Sequence, residues 1–439
     1  MEAFPVEYGH FSHTGMRRAN NQDNLAAVPA ANETQFKSQG HLFLVADGMG
    51  GHLGGEKASE LAVQIVPLAF AKNIHQGAAL ALRMALQDAN GSIKRRGNEA
   101  IHFYNMGTTC SVLALREEGA WVGHVGDSRV YRIRSKNIDQ ITFDHSYLWE
   151  TARIRKVPPE RIKDVMQNKI LRCLGPDQMV EVDIEGPHPL RPGDTFLLCS
   201  DGLSGPVGNT EMAQAAWLLS PQNACEYLVA LANLRGGPDN ITVQVIKLPH
   251  QSPEENGVSG APFKFWPKLI DWSPWSLIPG VILAVTFFAM LIKDYPKGVN
   301  NFHTVVLVLA SLFTVAGMAG LILRLAQKGR SDQAPQEVGK ARIHRREPWV
   351  LSRENIDLLA KQIESLASAA INMSIVQPVL PEVLTGQDQA KALVASNDLV
   401  GAFKILARLL PKLESVIRAS LAKQIPSVPM LIPRPGHKI

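Results

Sequence analysis

The sequence predicts an α+β domain over residues 1–249, followed by two membrane-crossing helices and a small α-helical tail. Three observations lead there: short β-rich runs with hairpin-length gaps, two long apolar stretches without a charge, and a final region of helical periodicity. Composition sets the bounds. At 439 residues, 46% hydrophobic and 19% charged, the chain is folded and long enough for more than one core. Its net charge of +5 is mild, and no dense run of Lys and Arg interleaves with aromatics, so no nucleic acid is expected as a partner. Cys110, Cys173, Cys199 and Cys225 stand far apart, which reads as reduced core thiols rather than a zinc or redox site. The opening "MEAFPVEYGHFSHTG" has neither a basic head nor an apolar stretch, so the N-terminal part is expected to stay in the cytoplasm.

Within residues 1–249, the runs "HLFLVA", "TCSVLAL", "AWVGHV", "RVYRIR", "DTFLLCS" and "NITVQVI" are rich in Val, Ile, Leu and Thr and bounded by Gly, Asp or Pro, as strands should be. Gaps such as "REEG" and "GDS" make successive strands antiparallel. Two stretches, Gly54 to Leu68 and Gln76 to Arg96, carry apolar residues at three- and four-residue steps, as helices lying on a sheet do.

Residues 250–274 turn rich in Pro, Gly and Ser and read as a linker. Residues 275–292, "WSLIPGVILAVTFFAMLI", and 304–325, which begin "TVVLVLASLFTVAGMAGLIL", follow. At 1.5 Å per residue each reaches roughly 27 to 30 Å, enough to cross a hydrocarbon core of about 30 Å. Trp266, Trp272 and Trp275 stand before and at the start of the first as interfacial anchors would. Arg324, Lys328, Arg330, Lys340, Arg342, Arg345 and Arg346 lie at or beyond the end of the second, while the loop 293–303 holds only Lys293 and Lys297 against Asp294. That bias places both ends inside and the short loop outside. After a basic linker over 326–348, residues 349–439 are helical. Ser352 is an N-cap ahead of Ile356, Leu359, Ile363, Leu366 and Ala370 on one face, and two further helices run over 387–395 and 398–425, the last interrupted near Pro411. The tail holds no catalytic constellation, so its helices are expected to pack together or bind a partner.

Five aspartates stand at strand ends: Asp23 before "NLAAV", Asp47 after "LFLVA", Asp127 between "WVGHV" and "RVYRI", Asp201 after "FLLC", and Asp239 before "ITVQV". One alone reads as a turn residue. Five, most of them beside glycine, read as a cation site. Magnesium and manganese take oxygen ligands and keep several waters, so a few carboxylates with a backbone carbonyl make a binuclear centre. Two such ions about 3.5 to 4 Å apart would share a water, lower its pKa and clamp phosphoryl oxygens during in-line attack.

Six motifs in order carry a resemblance: "GMRRANNQD", "VADGMGGHLGGE", "MGTTCSVLAL", "VGHVGDSRVYRIR", "CSDGLSG" and "GGPDNITVQVI". Over residues from about 5 to 249 the chain resembles the metal-dependent type 2C protein phosphatases, in their bacterial serine/threonine form. The resemblance implies an α-β-β-α sandwich of antiparallel sheets and hydrolysis of phosphoserine and phosphothreonine in proteins by a water bridging two divalent metals. The ions would be Mn2+ or Mg2+, with a third, weaker one. By the same matching, Asp47 bridges two metals, Gly48 lends its carbonyl, Asp201 and Asp239 ligate one metal of the pair, and Asp127 serves the third. Read without the resemblance, Asp127 is a turn aspartate paired with Arg129. Arg18 would grip the substrate phosphate with its planar fork, beside a solvated Arg17. Asp23 would hydrogen-bond a metal-bound water, Gln22 stands where some relatives have glutamate, and Asn240 would orient the Asp239 loop.

Met49 occupies the place where animal and plant relatives carry a histidine that protonates the leaving alkoxide. This leaves a metal-bound water as the first candidate acid, and His52 reads as structural. Residues 146–168 fall at the family's mobile flap, where Arg153, Arg155, Lys156, Arg161 and Lys163 either attract phosphorylated segments or form a solvated helix face. The partners implied are phosphorylated protein substrates, a cognate serine/threonine kinase pathway and the bacterial inner membrane, with the catalytic domain and tail cytoplasmic. The alternative is a phosphatase-like regulatory or scaffold module whose helical tail recruits partners. Such a module should have lost a ligand, yet Asp47, Asp201 and Asp239 are all present.

Overall fold

Strands that read as unbroken apolar runs must be covered on both faces, and here two sheets face each other with helices outside both. The structure is a computed structural model describing residues 5–50, 53–166, 169–249, 341–372 and 379–424. Its strands are β1 (Glu7–His13), β2 (Asp23–Val28), β3 (His41–Met49), β4 (Gly107–Thr108), β5 (Cys110–Arg116), β6 (Gly119–Val125), β7 (Arg129–Arg134), β8 (Asn137–Gln140), β9 (Asp183–His188), β10 (Thr195–Cys199), β11 (Ile241–Lys247) and β12 (Arg345–Pro348). Its helices are α1 (Glu33–Gln39), α2 (Gly54–Asn73), α3 (Ala78–Glu99), α4 (Tyr147–Arg155), α5 (Asp201–Ser204), α6 (Asn209–Leu218), α7 (Pro221–Leu234), α8 (Arg353–Asn372), α9 (Val379–Ala395) and α10 (Leu399–Gln424). One sheet runs β1-β11-β10-β7-β8-β12 and the other β2-β3-β5-β6-β9, with β4 on β3. Every pairing between these strands is antiparallel.

The period of two sorts the side chains into three layers of core. Phe43, Val45 and Leu113 meet Val130, Phe196, Leu198 and Ile246 between the sheets. Their neighbours Leu42, Leu44 and Ala46 turn outward under α2 and α3. On the other sheet Tyr131, Leu197, Val243 and Val245 lie under α6 and α7. This is the α-β-β-α sandwich that the motifs imply.

The tail adds a further layer. Trp349, Ile356, Leu359, Phe403, Leu406, Leu410 and Leu413 share one core with α7 and its sheet, and Phe403 meets Tyr227 edge-on with ring centroids 5.7 Å apart. Residues 341–424 and the sandwich belong to one compact unit. The stretch read as a basic linker ends in β12, which joins the edge of β8 from Arg345 opposite Gln140 to Pro348 opposite Asn137. Its arginines act locally: Arg346 Nε donates to Asp139 Oδ1 at 2.6 Å, and Arg345 pairs with Glu160. A strand of sequence "RREP" has no apolar alternation, so only the pairing defines it.

Other boundaries also shift. Helices α6 and α7 were not legible because α7 is buried all round, from Tyr227 to Asn233, between the sheet and the tail; such a helix shows no amphipathic stripe. Helix α10 runs through Pro411 without ending, since Leu409, Leu410 and Leu413 are buried and packing holds the turn that the ring weakens. Helix α9 begins at Val379, with Pro381 in the first turn where a missing N–H costs nothing. Residues 275–292 and 304–325, expected to cross a membrane, lie outside the described residues; among the described residues no helix is long and apolar enough to do so. All four cysteines are free, and burial raises the Cys110 and Cys199 thiols to about 12, which keeps them inert.

Candidate active site

Register brings the first two carboxylates together. Asp23 opens β2 directly opposite Asp47 near the end of β3, so the two side chains leave the same face as neighbours. From the other sheet come Asp201, which starts the helical turn after β10, and Asp239, which precedes β11, the strand paired with β10. Asp127 sits in the connection from β6 to β7 that passes between the sheets. Asp47, Asp201, Asp239 and Arg18 line an open cleft of about 520 Å³. Asp23 and Asp127 lie buried, at 5% and 9% exposure.

Each group is held by its own backbone environment. The Asp47 N–H donates to Thr109 Oγ1 at 2.9 Å, and its carbonyl accepts from Thr108 Oγ1 at 2.9 Å and from the Thr109 N–H at 2.8 Å. Gly48 has no room for a side chain: a Cβ there would lie 2.1 Å from the Gly55 carbonyl oxygen, which is why glycines stand on both sides where α2 presses on the end of β3. Ser200 Oγ donates to Asp23 Oδ2 at 2.7 Å. Asn240 ties two loops by donating to the Thr14 and Asn20 carbonyls at 2.8 and 2.9 Å while accepting from the Gln22 N–H at 2.9 Å. At the rim Arg18 Nη2 donates to Asp239 Oδ2 at 2.7 Å. Arg18 is the exposed partner, with just over half its side chain in solvent.

Asp127 is not paired with Arg129. That guanidinium forks onto Asp144, at 2.6 to 3.0 Å, which leaves Asp127 Oδ1 buried without a protein partner. Asp23 Oδ1 and Asp201 Oδ1 are in the same position. Burial, then repulsion from Asp23, Asp201, Asp127 and Asp239, pushes the Asp47 carboxyl well above the usual range. Burial likewise lifts Asp23 to about 7 and Asp127 to about 8, and raises Asp201, whose next cause is Asp239. Buried anionic oxygens with no donor are costly unless a cation meets them. Among the described residues no three His, Cys, Asp or Glu side chains close into a ready cage. The donor set suits magnesium or manganese, which bind through one or two carboxylates each and keep waters in the remaining positions.

The metal-free protein should therefore be more stable at pH 5 than at pH 8. A carboxyl whose pKa is raised in the folded state makes that state bind more protons, so stability falls as pH rises from about 4 through about 8. Thermal unfolding in EDTA should show a drop of about 5 °C or more across that interval, and manganese should remove most of it. A flat profile in EDTA would contradict this picture of the cluster.

Thr108, Thr109 and Ser200 were not singled out from sequence, although "MGTTC" and "CSDG" contain them; their work is to hold the backbone at Asp47 and the carboxylate of Asp23. Two cations of the flap are already paired, Arg153 with Glu150 at 2.5 Å and Arg155 with Asp164 at 2.9 Å. His52 and Asn168 lie outside the described residues.

Carboxylates drawn from the strand ends of a four-layer sandwich, with Arg17 and Arg18 at the rim, define a site for hard cations and an anionic substrate. The chain belongs to the protein phosphatase 2C family, whose profile matches residues 13–228. It is 33% identical over 241 residues to a serine/threonine phosphatase stp of Listeria monocytogenes, covering 53% of this chain and 92% of the relative. It is 31% identical to protein phosphatase PhpP of Streptococcus pneumoniae, covering 57% and 100%. A solved structure of the Mycobacterium tuberculosis phosphatase PstP aligns at 30% identity over 56% of this chain and 99% of that one, with a TM-score of 0.49.

Proposed function

We propose that this chain is a serine/threonine protein phosphatase that removes phosphate from phosphoserine and phosphothreonine in proteins with two divalent cations, manganese or magnesium. The observation that carries this is the convergence of Asp47, Asp201 and Asp239 from both sheets on the cleft that Arg18 rims. Asp47, the Gly48 carbonyl, Asp201 and Asp239 would hold the pair, and Asp127 a third ion. When bound, the cations supply an activated water at neutral pH and neutralise charge on the phosphoryl group. Arg18 presents its fork to the phosphate from the rim, and Asp23, fixed by Ser200, orients water on the inner side. Met49 borders the cleft and has no proton to give, so no side chain stands as acid at that position.

The apolar stretches 275–292 and 304–325 support a second element of the proposal. They would hold the phosphatase on the cytoplasmic face of a bacterial inner membrane, where tethering raises its concentration near phosphoproteins of a cognate kinase pathway.

The test is phosphate release from a phosphothreonine peptide by the full chain. Release with manganese should fall by about a hundredfold or more in EDTA and in Asp239→Asn. Release that persists in EDTA would sink the metal-dependent reading.

A further inference from the structure

Helix α10 buries an apolar face against α7, through Leu406, Leu410 and Leu413. A carboxylate stands among them. Glu414 is 7% exposed, and burial raises its pKa against the opposing pull of Arg418 and Asn233. A buried acid in a packing face costs stability unless it is partnered, and packing alone would be served by leucine. Its partners are Arg418 one turn on, whose Nε lies 3.4 Å from Oε1, and Asn233 at the end of α7, whose Nδ2 donates to the same oxygen at 3.3 Å and lies 3.3 Å from His13 Nδ1. That ring nitrogen accepts the Gly15 N–H at 2.9 Å. The link thus runs from the tail to the loop that carries Arg18.

The same asparagine abuts the loop that carries Asp239. A Cβ on Gly237 would lie 2.9 Å from Asn233 Oδ1 and 2.8 Å from the Met16 nitrogen, and one on Gly15 would lie 2.0 Å from the Asp239 carbonyl oxygen. Met16 N–H donates to the Gly237 carbonyl at 2.8 Å. The two loops interlock with no spare space, and Asn233 sits at their base. Any shift of Asn233 is passed to Arg18 and Asp239, which are themselves joined at 2.7 Å.

We propose that the tail helix α10 is a working part of the phosphate-binding end of the site: Glu414 is a positioning residue that, through Asn233 and His13, fixes the 13–18 and 236–239 loops and so sets how tightly Arg18 holds the substrate. The inference rests on the phosphatase reading above and extends it to a region outside the family match, which ends at residue 228.

The experiment measures kcat, KM and unfolding temperature of the full chain with a phosphothreonine peptide and manganese. Glu414→Leu suits the packing face and should unfold no earlier than wild type, yet raise KM about tenfold with kcat within about threefold. Glu414→Gln keeps an acceptor for Asn233 and should hold KM within about twofold of wild type. Asn233→Asp breaks the link from the other side by setting a second carboxylate against Glu414, and should raise KM in the same way. Val383→Ala, a cavity in α9 at an apolar side chain that takes no part in the hydrogen-bonded link, should lower the unfolding temperature and leave KM unchanged. Wild-type KM in Glu414→Leu or in Asn233→Asp overturns the proposal, as does a KM raised equally by Val383→Ala, which would make the effect one of general loosening. A wild-type chain that releases no phosphate overturns the phosphatase reading, and the coupling with it.

Discussion

Asp47→Asn should lower phosphate release by about a thousandfold or more and at the same time raise the unfolding temperature of the metal-free protein. Both effects come from one charge. Asp47 stands opposite Asp23 across a strand pair and is pressed by Asp201, Asp127 and Asp239. The folded chain therefore holds like charges together that the unfolded chain lets apart. Asparagine is close in shape and removes that repulsion, and its N–H2 group can donate to the neighbouring carboxylate. The same change takes away the anionic oxygen that would sit between two cations. Unfolding followed in EDTA and in manganese separates the two. The variant should be more stable than wild type in EDTA and gain less from manganese. A variant that loses activity and stability together in EDTA would point to a structural role for Asp47 instead.

A chain ended at Pro249 should fail to give a stable domain. Without residues 341–424, the outer faces of α6 and α7 lose their cover, including Tyr227, which is now 4% exposed and meets Phe403, and Trp217, whose ring lies 6.2 Å from that of Trp349. Each large apolar side chain moved from core to water costs about 1.5 to 3 kcal/mol. Three or four of them amount to roughly 5 kcal/mol or more, the scale of a whole domain's stability. The β8 edge, now paired with β12, would also stand open to other chains. The expected result is a fall in unfolding temperature of more than about 10 °C, or aggregation. A soluble truncated domain that unfolds within a few degrees of the full chain would show that the tail is a dispensable cover.

The aspartates were legible because each sits at one end of an apolar run, and Asp47, Asp127 and Asp201 beside glycine as well, a pattern visible in a few consecutive residues. Asp47 and Asp201 need only their neighbours to be found. Asn233 and Glu414 do not announce themselves, since their meaning lies in a contact between residues 181 positions apart. Strand β3 was legible because burial on both faces leaves a continuous apolar run, while the same completeness of burial hid α7 by erasing its stripe. Strand β12 was hidden for the opposite reason, because its charges satisfy partners on β8, the flap and α6 that no local pattern reveals. The pairing of Arg129 with Asp144 rather than Asp127 is a choice between two nearby carboxylates that only packing decides.

The chain leaves the sandwich at Pro249, whose carbonyl accepts from the Gly193 N–H, and rejoins it at Arg342, whose N–H donates to Glu185. Residues 250–340 are thus a closed excursion from one body. Two attachment points on one body make a loop, so cutting the chain anywhere within residues 250–340 would leave residues 5–249 and 341–424 joined by their shared core alone.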